Sequence, residues 1–362
     1  MPETVLSPDA VYSAIPTLRV GGQPDNKVTA QLLAMEMRES EGGMSALELR
    51  FSNQASFAGG QAGQIFEDGK VLKLGAQLDV YAGDVSSPTQ IFHGQVTALE
   101  GRYPRFGSSE LIVLAEDALQ QARMARRTKT WDSATLSGVV QQVASQLGLT
   151  PQVDGLDTGI GTQIQFNETD LQFLRRLLAR YDADMQVVGT ELHAAPRASA
   201  QRNTILLLMQ SQLRELRVIA DLADQVTSTT VTGWDYSQGQ TVSATSQTSS
   251  FGPGSGTSGA DWATQALATR SEHLGQFAAL NADEAQAIAD AEFAQRVRRF
   301  VVAHGTAEGN AGLRVGTHLT LAGLGPRFSN TYYITATVHR FDPINGYETQ
   351  FVAECAYLGG AS

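Results

Sequence analysis

Apolar and polar residues alternate along short runs at both ends of this chain, and glycine separates one run from the next. Leu47, Leu49 and Phe51 alternate with polar neighbours, as do Val71 with Lys73 between apolar residues, and Leu78 with Val80. Ile91, Phe92 and Val96 form a further run, and Leu111 to Leu114 another, with Gly42-Gly43, Gly59-Gly60, Gly69, Gly75 and Gly83 between runs. A period of two gives a strand one buried and one exposed face. Short strands at this spacing predict a small barrel or sandwich. The pattern returns near the C-terminus. Leu313, Val315, Leu319 and Leu321 alternate, then Tyr332, Ile334, Ala336 and Val338, then Tyr347, Thr349 and Phe351 after the hairpin signal Asn345-Gly346.

Between these regions the period changes to that of a helix. From Thr130 to Leu149, the residues Leu136, Val139, Val140, Val143 and Leu147 share one face. Asp132 or Ser133 is placed to cap this helix, and Gly148 suits the position after its end. Thr169 or Asp170 opens a second helix with the stripe Leu171, Leu174, Leu178 and Tyr181, followed by a hairpin around Gly189-Thr190. A third helix is predicted over Asn281–Phe300. Its stripe is Ala285, Ala289, Phe293 and Val297, with acids early and arginines late, as the helix dipole favours. Ser237 to Gly259 is rich in Ser, Thr, Gly and Gln and reads as a flexible loop or linker. No internal repeat stands out.

Composition excludes several classes. A chain of 362 residues holds two or three domains, and 42% hydrophobic with 17% charged residues is globular rather than disordered. The balance of 26 Lys+Arg against 37 Asp+Glu gives a formal charge of -11, so the basic footprint of a free nucleic-acid binder is missing. One cysteine, Cys355, excludes a disulfide framework and a cysteine-based metal site within one chain. No apolar run approaches the roughly 20 residues of a membrane span. The start, MPETVLSPDAVYS, lacks the basic and apolar regions of a secretory signal. Synthesis in the cytoplasm, without a membrane anchor, is expected.

Motifs for chemistry are nearly absent. Gly254 to Gly259, GSGTSG, fits the glycine pattern of a dinucleotide site but lies in the Ser/Thr/Gly tract without a strand before it, which favours a linker. Asp157-Thr158-Gly159 matches the aspartic-protease triplet, in which paired carboxylates share a proton. Here it sits among Gly155, Gly159 and Gly161 and reads as a turn. None of His93, His193, His273, His304, His318 and His339 has a partner at metal-ligand spacing, and His339, at the end of a strand, reads as structural or interfacial. Asn167-Glu168-Thr169 is a sequon without meaning unless the chain is secreted. No catalytic, cofactor-binding or metal-binding residue is therefore expected. The basic cluster Arg123, Arg126, Arg127 and Lys129 fits a solvated face as well as a patch for acidic surfaces of another subunit. Trp131 beside it fits a core anchor best.

Three segments, in order, carry a resemblance. They are VLAEDALQQARMARRTKTWDSATLSGVVQQVASQLGL (Val113–Leu149), IQFNETDLQFLRRLLARYDADMQVVGTELHAAP (Ile164–Pro196) and VGTHLTLAGLGPRFSNTYYITATVHRFDPINGYETQFVAE (Val315–Glu354). In the second, an acid precedes a Phe-Leu-x-Arg-Leu helix and a hairpin follows. In the third, a strand ending at Val338-His339 leads to a Gly-Tyr hairpin and a Thr-x-Phe strand. Together they resemble phage late control protein D, the myovirus tail-hub family, whose fold also forms the N-terminal hub of type VI secretion spike proteins. The match runs from about Leu111 to Glu354, with 237–281 matching poorly.

The resemblance implies an α+β, β-rich fold: two small barrel-like β domains that form a pseudo-sixfold ring as a trimer, plus helical α+β modules. It places a first barrel at 1–125, an α+β module of two helices and a hairpin at 126–200, a second barrel at 201–235 with 312–358, and an insertion with a Ser/Gly-rich loop and helix at 236–311. It implies a structural, non-enzymatic baseplate hub of a contractile tail or phage-tail-like injection system, in a virion or injection particle. The partners are two further copies in a homotrimer, a trimeric spike, tail-tube or tube-initiator proteins and other baseplate proteins. DNA or effector cargo passes through the lumen without specific binding. Because the sequence stops at Ala361-Ser362, soon after the final hub strand, the spike is expected to be a separate polypeptide. Two other classes stay open: a hydrolase using the Asp157-Thr158-Gly159 carboxylate, and a monomeric β-rich protein that binds a carbohydrate or peptide in an aromatic-lined cleft.

Overall fold

The alternating runs become strands of a single 13-stranded sheet that runs through both β-rich regions. It is seen in a computed structural model, which describes residues 12–56, 62–67, 69–84, 86–275, 279 and 281–359. Gly59-Gly60, the first eleven residues and Ala361-Ser362 lie outside the described residues. The first region holds β1 (Tyr12–Val20), β2 (Leu32–Ser40), β3 (Ala46–Ser52), β4 (Gln77–Asp84), β5 (Thr89–Arg102) and β6 (Glu110–Glu116). These pair antiparallel in the order β2-β3-β6-β5-β4-β1. Leu47, Leu49 and Phe51 of β3 are buried and pack with Met35, Met37, Leu78, Val80 and Val113 in one core. Val71 and Lys73 do not form a strand. Glycines 69 and 75 with positive φ bend the chain on either side; between them Leu72 is buried in the core and Val71 packs against it, partly buried.

The next module contains β7 (Arg126–Thr135), α1 (Leu136–Gln146), β8 (Thr150–Val153), β9 (Gly159–Thr169), α2 (Asp170–Arg180), β10 (Ala183–Val188) and β11 (Glu191–Pro196). The first helix begins later than expected. Asp132 and Ser133 remain in β7 because β9 pairs with β7 as far as Thr135, and the Thr135 hydroxyl caps the helix by accepting from Gly138 N at 3.0 Å. At α2, Thr169 and Gln172 exchange side-chain to backbone bonds of 3.1 Å each, a reciprocal cap. The apolar stripes of α1 and α2 meet β10 and β11 in a second core.

The remaining elements are β12 (Asn203–Leu208), β13 (Leu213–Ala220), β14 (Ser228–Asp235), β15 (Gln240–Ser246), α3 (Gly259–Leu267), β16 (Ser271–Leu274), α4 (Ala282–Arg298), β17 (Val301–Glu308), β18 (Thr317–Ala322), β19 (Asn330–Asp342) and β20 (Gly346–Cys355). Six of them follow the order β12-β18-β19-β20-β17-β13 around a third core. Two strands sit across the expected boundaries. Val301–Glu308 fills the place between β13 and β20, whereas Ser228–Asp235 leaves this sheet to pair with β15 and β16. The β14–β16 sheet packs on α4, whose stripe Ala285, Ala289, Phe293 and Val297 is fully buried. Leu313 and Val315 are buried in the loop before β18 rather than in a strand.

The Ser/Gly tract is not a free linker. Gln240 to Ser246 pairs residue by residue with β14, and Thr257-Ser258 pairs with Leu358-Tyr357. The Asn330 side chain holds Ser255 N at 3.1 Å and Ser255 O at 2.9 Å. Ser258 caps α3, so the glycine pattern ends at a helix start. Hydroxyl and amide side chains here find partners that composition alone does not reveal.

β19 joins the two β regions. Its second half pairs with β2, from Ala336↔Ser40 to Phe341↔Met35. A bulge between Ile334 and Ala336 shifts the register, and one extra residue turns every later side chain to the other face. Tyr332 and Ile334 therefore enter the third core. Beyond the bulge the buried residues are Thr337, His339 and Phe341, not Ala336 and Val338 as strict alternation predicts. Phe341 and Tyr347 belong to the first core, and β1 packs against the β19–β20 hairpin.

Candidate functional site

The residues that the sequence marks for chemistry are dispersed. Asp157 is exposed in the turn between β8 and β9. His93 Nδ1 meets Asp79 Oδ1 at 2.5 Å, and that hydrogen bond raises its pKa. His193 bonds Glu191 at 2.9 Å, His273 bonds Thr232 at 2.9 Å and His318 bonds the Ala200 carbonyl at 3.1 Å, while His304 is exposed on β17. Among the described residues no group of three or more His, Cys, Asp or Glu is placed to hold a metal ion. His339 is fully buried, with Nδ1 2.7 Å from the Tyr347 hydroxyl. Burial, then the nearby Arg314, lowers its pKa to about 4, so it is a neutral core histidine.

The basic cluster is engaged within the chain. Arg123 pairs with Glu116, Arg126 donates to the Asn167 carbonyl at 3.1 Å, and Arg127 lies 3.4 Å from Asp170. Lys129 Nζ sits 3.4 Å from the Trp131 ring centroid. Trp131 also stacks on Phe173 at 5.6 Å and 19° and is buried in the second core, which makes it a core anchor.

What the fold does concentrate is buried charge at the seams between modules. Glu39 of β2 is 4% exposed and accepts from Arg314 Nε at 2.7 Å and from the Thr337 hydroxyl at 3.2 Å. Burial alone raises the Glu39 pKa, but the Arg314 charge and its hydrogen bonds outweigh burial and hold it below the ordinary range. Asp184 of β10 accepts from Arg202 at 2.5 Å and from the Tyr333 hydroxyl at 2.7 Å. Its pKa is lowered for the same reason, Arg202 and Tyr333 together overcoming desolvation. Asp182 takes both Nη groups of Arg298, and Arg180 reaches Glu284 at 2.7 Å. Glu39–Arg314 fastens the first β region to the second, Asp184 fastens the α+β module to the second β region, and the Asp182 and Arg180 pairs fasten that module to α4. Breaking one member of such a pair leaves a buried charge uncompensated. These residues carry no local signal in the sequence, because their partners lie far along the chain.

The second feature is open strand edges. Among the described residues β12 pairs only with β18, and β13 only with β17. The two are consecutive but meet only at a bridge between Met209 and Leu213. β12 turns Leu206 and Leu208 outward, 41% and 43% exposed. Exposed apolar residues on an unpaired edge form a template for another chain. The β7–β9 ribbon likewise exposes Ile164 and Phe166, at 57% and 74%. The signal for β12 was the run Asn203-Thr-Ile-Leu-Leu-Leu208, six residues of strand character.

In structure the chain is similar to the 43 kDa tail protein of prophage MuSo2 from Shewanella oneidensis, with a TM-score of 0.70 at 14% identity over 94% of this chain and 97% of that one. It is similar to the tail protein from Neisseria meningitidis MC58, with a TM-score of 0.65 at 11% identity over 94% and 96% of the two chains. A third likeness is to the E. coli c3393 protein, a component of the type VI secretion system with structural similarity to T4 bacteriophage tail proteins gp27 and gp5. There the TM-score is 0.58 at 12% identity over 95% of this chain and 79% of that one. The fold is therefore that of phage tail and baseplate hub proteins. The family described as the Alg8 N-terminal domain matches residues 57–342, more than half of the chain, and the chain belongs to that family. No curated protein matches the chain in sequence. Among the described residues no helix is long and apolar enough to cross a membrane.

Proposed function

We propose that this chain is a structural baseplate hub of a contractile phage tail or phage-tail-like injection system and carries out no chemistry. Three copies close a ring, and the two β units of each copy give it pseudo-sixfold character. The ring adapts a sixfold tail tube to a trimeric spike, and its bore conducts DNA or effector cargo. Closed cyclic symmetry is the usual end point of a homo-oligomer. The observation that carries this reading is the β2–β19 pairing, which fuses two β units edge to edge in one sheet. A second copy can extend that sheet at the edges left open on β12 and β13. The division into a first barrel (1–125), an α+β module (126–200), a second barrel (201–235 and 312–358) and an insertion (236–311) belongs to the same proposal, with Val301–Glu308 added to the second barrel.

A net charge of -11 per chain supports a bore that repels DNA and acidic cargo rather than holding it. Other baseplate proteins pack around the outside. Light scattering on the size-excluded protein tests the reading. A trimer, alone or on adding a spike trimer, is expected; a chain that stays monomeric with tube and spike proteins present refutes it.

A further inference from the structure

Four arginines line a cavity of about 470 Å³ between the β2–β3 turn, α2, α4 and β20. Two are largely spent. Arg298 gives both Nη groups to Asp182, and Arg175 gives Nε and Nη2 to the carbonyls of Gly42 and Gly43 at 3.0 and 2.9 Å. The other two are not. Arg197 is 2% exposed, and its guanidinium carbon lies 3.1 Å from the Tyr333 ring centroid. Nε bonds Glu41, but Nη1 and Nη2 have no hydrogen-bond acceptor. Glu354 Oε2 lies 3.7 Å from Nη2, an ion pair too long to be a hydrogen bond. Arg299 is 68% exposed, and Glu354 comes no nearer to it than 3.8 Å.

Buried donors are rarely left unmet, and an arginine fork is matched in shape to a carboxylate or phosphate. Arg197 is held as such a receptor: the tyrosine face fixes its plane, Glu41 fixes one edge, and the terminal amino groups are left over. Against the four arginines the lining sets Glu41, Asp182 and Glu354, which leaves one positive charge in excess. We propose that this cavity is an oxyanion site, in which Arg197 and Arg299 clamp a carboxylate or phosphate group. The inference does not rest on the assembly role, because every lining residue belongs to one chain.

Titration calorimetry on the full chain tests it, with inorganic phosphate and succinate as separate probes. Saturable binding of at least one probe is expected, and Arg299→Ala should weaken it about tenfold, the worth of one charge-assisted hydrogen bond. Arg299 is exposed, so that variant keeps its fold, checked by an unchanged melting temperature. The Tyr333 ring resonances should shift with the tighter probe, because that ring lies on Arg197. Preference for phosphate points to a free or nucleotide-borne anion, and preference for succinate to an acidic side chain of another polypeptide. Either fits the site. No binding by either probe, or equal binding by Arg299→Ala and the parent, overturns the proposal.

Discussion

Glu39 and Arg314 stand 275 residues apart in the sequence and share a buried ion pair, with Arg314 Nε 2.7 Å from both carboxylate oxygens. The pair locks β2 to the loop before β18. Glu39→Gln should therefore destabilise the chain by about 3 kcal/mol or more, since it leaves the Arg314 charge buried alone. Glu39→Met with Arg314→Met should recover most of that loss. Urea unfolding of the two variants and the parent gives the comparison, and equal stability of the single variant and the parent contradicts the lock.

His339 makes the stability of the chain depend on pH. Its pKa is about 4 in the folded chain, against 6.5 for an exposed histidine. Between those values the unfolded chain binds a proton that the folded chain does not. Stability is full above pH 6.5 and falls toward pH 4, by on the order of 3 kcal/mol. Asp117 runs the other way, because burial raises its pKa to about 6 and the folded chain takes up a proton first. His339→Gln isolates the histidine. Its stability curve should rise relative to the parent as the pH drops from 6.5 to 4, and parallel curves would refute the assignment.

Leu206 and Leu208 test the open edge. Both are exposed in the single chain, so replacing them by Lys should change its unfolding free energy by less than about 0.5 kcal/mol each. Assembly should suffer instead. Sedimentation with tube and spike partners is expected to show fewer complete rings for the double variant; undiminished assembly removes β12 from the interface.

Gly256 tests whether the Ser/Gly tract is docked. Its φ is +122°, and an added Cβ meets the carbonyl oxygen of Gly359. Gly256→Ala should cost about 2 kcal/mol or more, because backbone cannot yield as a side chain does. Rapid proteolytic nicking of the 247–256 segment in the variant, but not the parent, is the expected readout.

Asp157→Asn is expected to change neither stability nor assembly, as the residue is exposed in a turn. An assayed hydrolytic activity lost in this variant would restore the hydrolase reading.

Local order carries most of what could be read from the sequence. The alternation of Leu47, Leu49 and Phe51 and the stripe from Ala285 to Val297 are properties of neighbouring residues, and both fall where the pattern put them. The start of α1 was not legible, since β7 extends to Thr135 only because β9 lies beside it. Nor was the face of Val338, which a single bulge reversed. Arg197, Glu39 and Asp184 were silent for a further reason: a buried charge is defined by its partner, and each partner comes from another module.

The bulge in β19 has a consequence for how the molecule comes apart. Because one strand supplies Tyr332 and Ile334 to one core and Phe341 to another, neither β unit can melt without fraying its neighbour. Heating should give a single calorimetric peak spanning both units, with equal van't Hoff and calorimetric enthalpies. The chain then behaves as one girder rather than two beads on a string.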